Sequence, residues 1–312
     1  MTVRNAVRAD RDCEFEMQMA SMPAPHWYRR SMATPADVRT IRVAGCSIAF
    51  RCWGPVGAPG IVLVHGTSGH SRWWDHIAPL IGDEYRIAAL DLSGHGDSGR
   101  RDEYSADLWA TEVITVSAAA AMAGPPVVIG HSMGGLVALN TGVVHSERPG
   151  GVVAIEWPIR ESHRAKKTTA RAAGRSQRVY PDRAEALARF WTVNGKDEHL
   201  PYVLDHVAST SIEPAPGGWT WKFDPNVLGA SLPDRRCLRH ASMPVALLRG
   251  QRGLVAPDVG DQVCELLGRP VQVIELPLAG HFPMLDQPLA LIVGLHSVLA
   301  DWESSGHWPH QP

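Results

Sequence analysis

The stretch that most restricts what this chain can fold into is Gly130-His131-Ser132-Met133-Gly134. The apolar run Pro126-Val127-Val128-Ile129 precedes it and the small-residue run Gly135-Leu136-Val137-Ala138-Leu139 follows. Together they predict a strand, a sharp turn and a helix, with a serine at the tip of the turn. So tight a turn holds its central residue in strained backbone geometry. Glycine two positions before and two after lets strand and helix pass closely. The serine oxygen is then exposed at a helix N-terminus, where N–H groups and the helix dipole favour a developing negative charge. Outside that context the same five residues make a glycine-rich turn with an N-capping serine.

The rest of the composition narrows the class. A chain of 312 residues suits one large domain, or a domain carrying an inserted subdomain. Its net charge of −2 leaves no basic excess to neutralise phosphates, which argues against a nucleic-acid partner. The five cysteines (Cys13, Cys46, Cys52, Cys237, Cys264) are odd in number and form no C-x-x-C, so neither a disulfide framework nor a zinc site is indicated. Reduced thiols fit a cytoplasmic location. The N-terminus is polar and charged through Glu16, unlike a secretory signal. No stretch reaches the roughly 18 apolar residues that span a bilayer, so no membrane partner is expected. With no H-E-x-x-H spacing, no phosphate loop and no G-x-G-x-x-G after the first strand, neither a metal nor a cofactor is expected.

Taken in order, residues 1–37 form an N-terminal extension, part helix and part loop, with Pro23, Pro25 and Pro35. Residues 38–157 read as the first part of a core. A hairpin of 39–43 and 47–53 turns at Ala44-Gly45-Cys46. The continuous apolar run Ile61-Val62-Leu63-Val64 is that of a strand buried on both faces. It ends in His65-Gly66-Thr67-Ser68-Gly69. Residues 71–81 are expected as a helix with Trp74, Ile77, Ala78 and Ile81 on one face. A strand at 85–90, a helix at 105–123, the elbow and a buried strand at 151–155 ending in Glu156 follow. The alternation breaks over 158–242, which is basic and helical at first and then rich in proline and aromatics. It resumes over 243–303 with strands near 244–249 and 271–276 and helices near 259–267 and 287–302; 304–312 is a tail. Strands separated by helices imply a mostly parallel sheet covered on both faces, an α/β fold. The irregular 158–242 segment is expected as a cap over the carboxyl ends of the strands, where such sheets bind ligands.

With these residues in hand, the chain resembles the α/β-hydrolase fold enzymes over about 39–302. Four motifs carry the resemblance in order: His65-Gly66; Ser93-Gly94-His95-Gly96-Asp97-Ser98; the elbow; and Ala279-Gly280-His281-Phe282 after the last strand. The resemblance implies a Ser–acid–His triad, an oxyanion hole and a cap domain, with Ser132 as nucleophile and His281 as general base. A serine hydroxyl is a weak nucleophile until an imidazole takes its proton, which independently asks for such a histidine. The oxyanion hole is expected from two backbone N–H groups, those of Met133 and Thr67. His65, His131 and His95 then read as loop-holding residues.

The acid is where the sequence departs from the family. Most members carry an aspartate in a Gly-x-x-Asp segment after the strand at 244–249; here that segment reads Gly250-Gln251-Arg252-Gly253, with glycine at the acid position. The preferred substitute is Glu156, at the end of the strand following the nucleophile helix. That placement is similar to the haloalkane dehalogenase and zearalenone lactonase-like branches. Alternatives are a structural Glu156 paired with Arg160, or Asp258 as the acid, with Asp97 and Asp286 ranking below both.

A serine nucleophile excludes the aspartyl alkyl-enzyme route and points to acyl chemistry on an ester, lactone, thioester or β-diketone-like C–C bond. Trp191, Trp219 and Trp221, with Phe190 beside them and Ser68 from the His65-Gly66 loop, are the expected substrate-binding residues for a hydrophobic small molecule. Equally, the cap aromatics serve to pack a small subdomain. A bulky lactone is the preferred substrate. A ligand-binding receptor and a lyase are the alternatives on the same fold.

Overall fold

The computed structural model describes residues 23–145, 149–158, 177–190 and 199–306. An eight-stranded sheet runs through it in the order β1-β2-β4-β3-β5-β6-β9-β10. The strands are β1 (Asp37–Val43), β2 (Cys46–Trp53), β3 (Pro59–Val64), β4 (Arg86–Leu90), β5 (Ala123–His131), β6 (Gly151–Ile155), β9 (Val245–Gly250) and β10 (Gln272–Leu276). β1 and β2 form the expected hairpin, with Ala44 and Gly45 both at positive φ as a two-residue turn requires. β2 meets β4 antiparallel; from β4 to β10 every pairing is parallel.

Period-2 alternation distributes the strand side chains between two apolar layers. Val62, Val64, Val128, Val152, Ala154, Val245 and Leu247 face one layer, with α3 (Ala106–Ala119), α4 (Met133–Val144) and α7 (Val259–Leu267). Ile61, Leu63, Ile129, Val153, Ile155 and Leu248 face the other, with α1 (His26–Met32), residues 71–81 and α9 (Pro288–Ser304). Both layers exclude water, which is why these strands read as unbroken apolar runs. Ser105 caps α3 by accepting from the Leu108 N–H at 3.2 Å.

One expected helix is broken. Residues 71–81 form a 3-10 turn (Ser71–Trp74) and then one short helix, α2 (Ala78–Ile81). Pro79 has no N–H for the carbonyl of residue 75, so a continuous helix loses a bond there. The apolar face survives the break: Trp74, Ile77, Ala78 and Ile81 are all buried.

Among the described residues of 158–242 lie α5 (Arg183–Ala188), α6 (Pro201–Thr210) and a separate antiparallel hairpin of β7 (Ile212–Ala215) and β8 (Gly218–Trp221). Most of the basic stretch expected to be helical lies outside the described residues. The loop after β4 holds the hairpin's exit strand: Gly96 N–H donates to Lys222 O at 2.9 Å, Asp224 N–H donates to Gly94 O at 2.8 Å, and Lys222 pairs with Asp97. On the other side α6 is tied to α1, where the Tyr28 hydroxyl donates to Tyr202 O at 2.9 Å, and to Asp75 through His206. Short α8 (Pro283–Asp286) precedes α9. Among the described residues no helix is long and apolar enough to cross a membrane.

Candidate active site

Ser132 stands between β5 and α4 with φ 52° and ψ −116°, a conformation an L-residue adopts only under constraint. The constraint is visible in the backbone. Its N–H donates to Ile155 O at 2.8 Å and its carbonyl accepts from Gly135 N–H at 3.0 Å. The flanking glycines are required by space: a Cβ on Gly130 would sit 2.0 Å from Gly134 O, and one on Gly134 would sit 2.5 Å from Val64 O. Strand and helix thus approach more closely than side chains allow.

His281 lies in the loop after β10. The His131 Nε2–H donates to the His281 carbonyl at 2.7 Å, and the two rings lie 5.0 Å apart. The histidine loop is thereby tied one residue from Ser132. The His281 Nδ1 is 3.2 Å from Glu156 Oε2, and both side chains are buried. Glu156 itself sits at φ 48° just past β6, its N–H donating to Leu248 O at 2.8 Å. Its carboxylate accepts from Gly250 N–H (2.7 Å, Oε1) and from Leu254 N–H (2.9 Å, Oε2), with Val255 N–H further off at 3.4 Å. The other carboxylates are engaged differently. Asp258 is exposed and accepts from Gln262. Asp97 pairs with Lys222, and Asp286 accepts from Gly280 N–H at 2.7 Å. Arg160 lies outside the described residues.

The loop after β3 crosses the elbow. A Cβ on Gly66 would lie 3.2 Å from Ser132 Cβ and 2.8 Å from His131 Nδ1, so only glycine fits the crossing without displacement. Thr67 and Ser68 follow, half-buried, with Ser68 at φ 62°. Among the described residues the N–H groups of Thr67 and Met133 donate to no backbone carbonyl. His65 fixes this loop: its Nδ1–H donates to Gly66 O at 2.7 Å and its Nε2 accepts from Leu92 N–H at 3.1 Å. That pairing demands the neutral tautomer, and burial pushes its pKa down to about 4. Burial, and then the neighbouring imidazole, likewise hold His131 and His95 well below the ordinary histidine range.

Of the expected substrate-binding tryptophans, Trp191 lies outside the described residues. Trp219 and Trp221 pack with Tyr180, Ala186, Leu187 and Ile212 in a small core of their own, and the Trp221 Nε1–H donates to Ala186 O at 3.3 Å. From there a relay of ring contacts runs to the histidine. Trp221 meets Phe190 at 6.1 Å, Phe190 meets Trp73 at 6.4 Å, Trp73 meets Phe282 at 5.6 Å, and Phe282 meets His281 at 4.8 Å. The sequence gives no site role to Trp73, and it gives Phe282 only a place in the histidine motif. Phe282 follows His281 directly, and Trp73 follows the Thr67 loop, which are the only signals that pointed to them.

A strained serine between a parallel strand and a helix, a glycine loop across it, and a buried imidazole–carboxylate pair at the same sheet edge describe the α/β class of hydrolases. The chain belongs to the alpha/beta hydrolase family, whose model matches residues 61–295, and it is a hydrolase of that type. It is similar to an esterase of Mycobacterium tuberculosis, Rv0045c, with 26% identity over 83% of this chain and 88% of that one. It is also similar to a pimeloyl-[acyl-carrier protein] methyl ester esterase of Nitrosomonas europaea, with 27% identity over 74% of this chain and 91% of that one. Among solved structures, E-2-(acetamidomethylene)succinate hydrolase shares the fold with a TM-score of 0.71 at 17% identity, over 85% of this chain and 99% of that one.

Proposed function

We propose that the protein cleaves an ester or lactone bond of a hydrophobic small molecule through an acyl-enzyme. Ser132 is the nucleophile, His281 the general base, and Glu156 the carboxylate that orients the ring. The observation that carries this reading is the 3.2 Å contact of Glu156 with His281 Nδ1, in a loop tied to the elbow through His131. With Nδ1–H donating to the carboxylate, Nε2 keeps its lone pair and takes the serine proton as Oγ attacks the acyl carbon. The carboxylate then stabilises the imidazolium without accepting the proton. The N–H groups of Met133 and Thr67 stabilise the tetrahedral oxyanion. The imidazolium next protonates the leaving alcohol, and a water activated by the same ring releases the acid. The segment 158–242 serves as the cap, and the ring series from Trp221 to Phe282 supplies an apolar wall beside the base. Ester cleavage is favoured over C–C cleavage by the esterase names of the similar proteins.

The test uses p-nitrophenyl acyl esters and a panel of hydrophobic lactones. Ser132→Ala should lower kcat at least about 10⁴-fold and abolish fluorophosphonate labelling. Glu156→Gln should lower kcat by about 10³–10⁴-fold with the fold retained. Near wild-type turnover in Glu156→Gln, with Asp258→Asn inactive, would transfer the role to Asp258.

A further inference from the structure

Gly253 occupies the place where most of the family has its acid, and the reason lies in what fills the space in front of it. A Cβ built on Gly253 would fall 2.3 Å from Glu156 Oε2 and 2.4 Å from both its carboxyl carbon and Oε1. All three carboxylate atoms stand where a side chain at 253 would begin. The backbone at Gly253 lies outside the left-handed region, so an alanine would meet no conformational bar there. Glycine is needed for volume alone. The same loop is also the carboxylate's cradle: Gly250 and Leu254 donate their N–H groups to its two oxygens, while Gly253 N–H turns back to Gly250 O at 3.1 Å.

We infer that positions 156 and 253 serve one carboxylate site which only one of them can fill, and that Gly253 is a positioning residue for His281 because it leaves that site open to Glu156. This rests on the triad reading above. An aspartate carboxyl carbon lies about 1.5 Å beyond its Cβ. A Cβ already 2.4 Å from the Glu156 carboxyl carbon therefore brings such a carboxyl group into the region facing His281 Nδ1. Any side chain at 253 displaces Glu156; an aspartate there substitutes for it.

Four variants test this, each checked for folding by circular dichroism and thermal melting. Glu156→Ala should lower kcat by about 10³-fold or more with KM little changed. Turnover near wild type in that variant would overturn the triad reading and this inference with it. Gly253→Ala should lower kcat at least tenfold in the wild-type background and change it by less than twofold in the Glu156→Ala background, because its effect passes through that carboxylate. An equal loss in both backgrounds would mean a merely structural role and overturn the inference. Glu156→Ala/Gly253→Asp should turn over at least tenfold faster than Glu156→Ala and regain an acidic limb in its pH–rate profile. If Glu156→Ala is inactive and that double variant is no faster, the shared site is refuted while the triad reading stands.

Discussion

At Ser132 and Glu156 the chain accepts positive φ in residues other than glycine, at a cost on the order of 1–3 kcal/mol each. Glycines pack against both residues, for a different reason in each case. Gly130 and Gly134 clear room for backbone to pass backbone, where no side chain can move aside. Gly253 clears room for a carboxylate. Gly130→Ala should therefore destabilise the protein by about 3 kcal/mol or more, since its Cβ would lie 2.0 Å from a carbonyl oxygen held by the α4 start. Chemical denaturation measures this, and a change under about 1 kcal/mol would contradict the crowding. The elbow glycines were legible because spacing alone encodes them. Glu156 was legible by its place at a strand end, but its N–H donors were not, since they come from residues 94 to 98 positions further on.

At the scale of elements, Asp75 joins three of them. It accepts from Arg51 Nε on β2 at 2.8 Å and meets His206 Nε2 on α6 at 3.1 Å. All three side chains are largely buried. Asp75→Asn leaves the Arg51 guanidinium without its counter-charge and should cost about 3 kcal/mol. The double variant Arg51→Met/Asp75→Leu should cost much less, because it removes both charges together. Thermal melting of the two variants distinguishes a paired charge from simple packing. The broken 71–81 helix belongs to this scale as well: apolar periodicity located its buried face, while Pro79, with no N–H to donate, interrupts its backbone.

For the whole molecule, two fully buried layers imply a set pH response. Burial lowers the His65 and His76 pKa values from the ordinary 6.5 to about 4. The unfolded chain takes up these protons below about pH 6.5, whereas the folded chain resists until about pH 4. Their contribution to stability is therefore full above pH 6.5 and is lost as the pH falls to about 4. Each ring contributes about 3 kcal/mol by that shift. Burial raises the Asp91 and Glu112 carboxyls, which acts in the opposite sense: stability from them is present at low pH and lost as pH rises. A variant isolates the histidine effect. His76→Gln keeps a donor toward Met284 O, which His76 Nε2 meets at 2.7 Å, and removes the titration. The slope of unfolding free energy against pH between 4.5 and 6 should then fall by up to about 1.4 kcal/mol per pH unit. An unchanged slope would contradict the burial argument.

By itself the sequence determined the strand and helix alternation of the core on either side of 158–242, the apolar runs of the central parallel strands, and the elbow with its serine. These depend on local spacing, and a period of two or 3.6 residues is written in the order of the side chains. Only the tertiary structure decided that Glu156 meets the His281 ring, that its carboxylate fills the space before Gly253, and that Trp73 packs against Phe282. Each of these joins residues far apart in the chain through parallel strand pairing. That pairing sets side by side what sequence order separates, and no local pattern carries the distance between them.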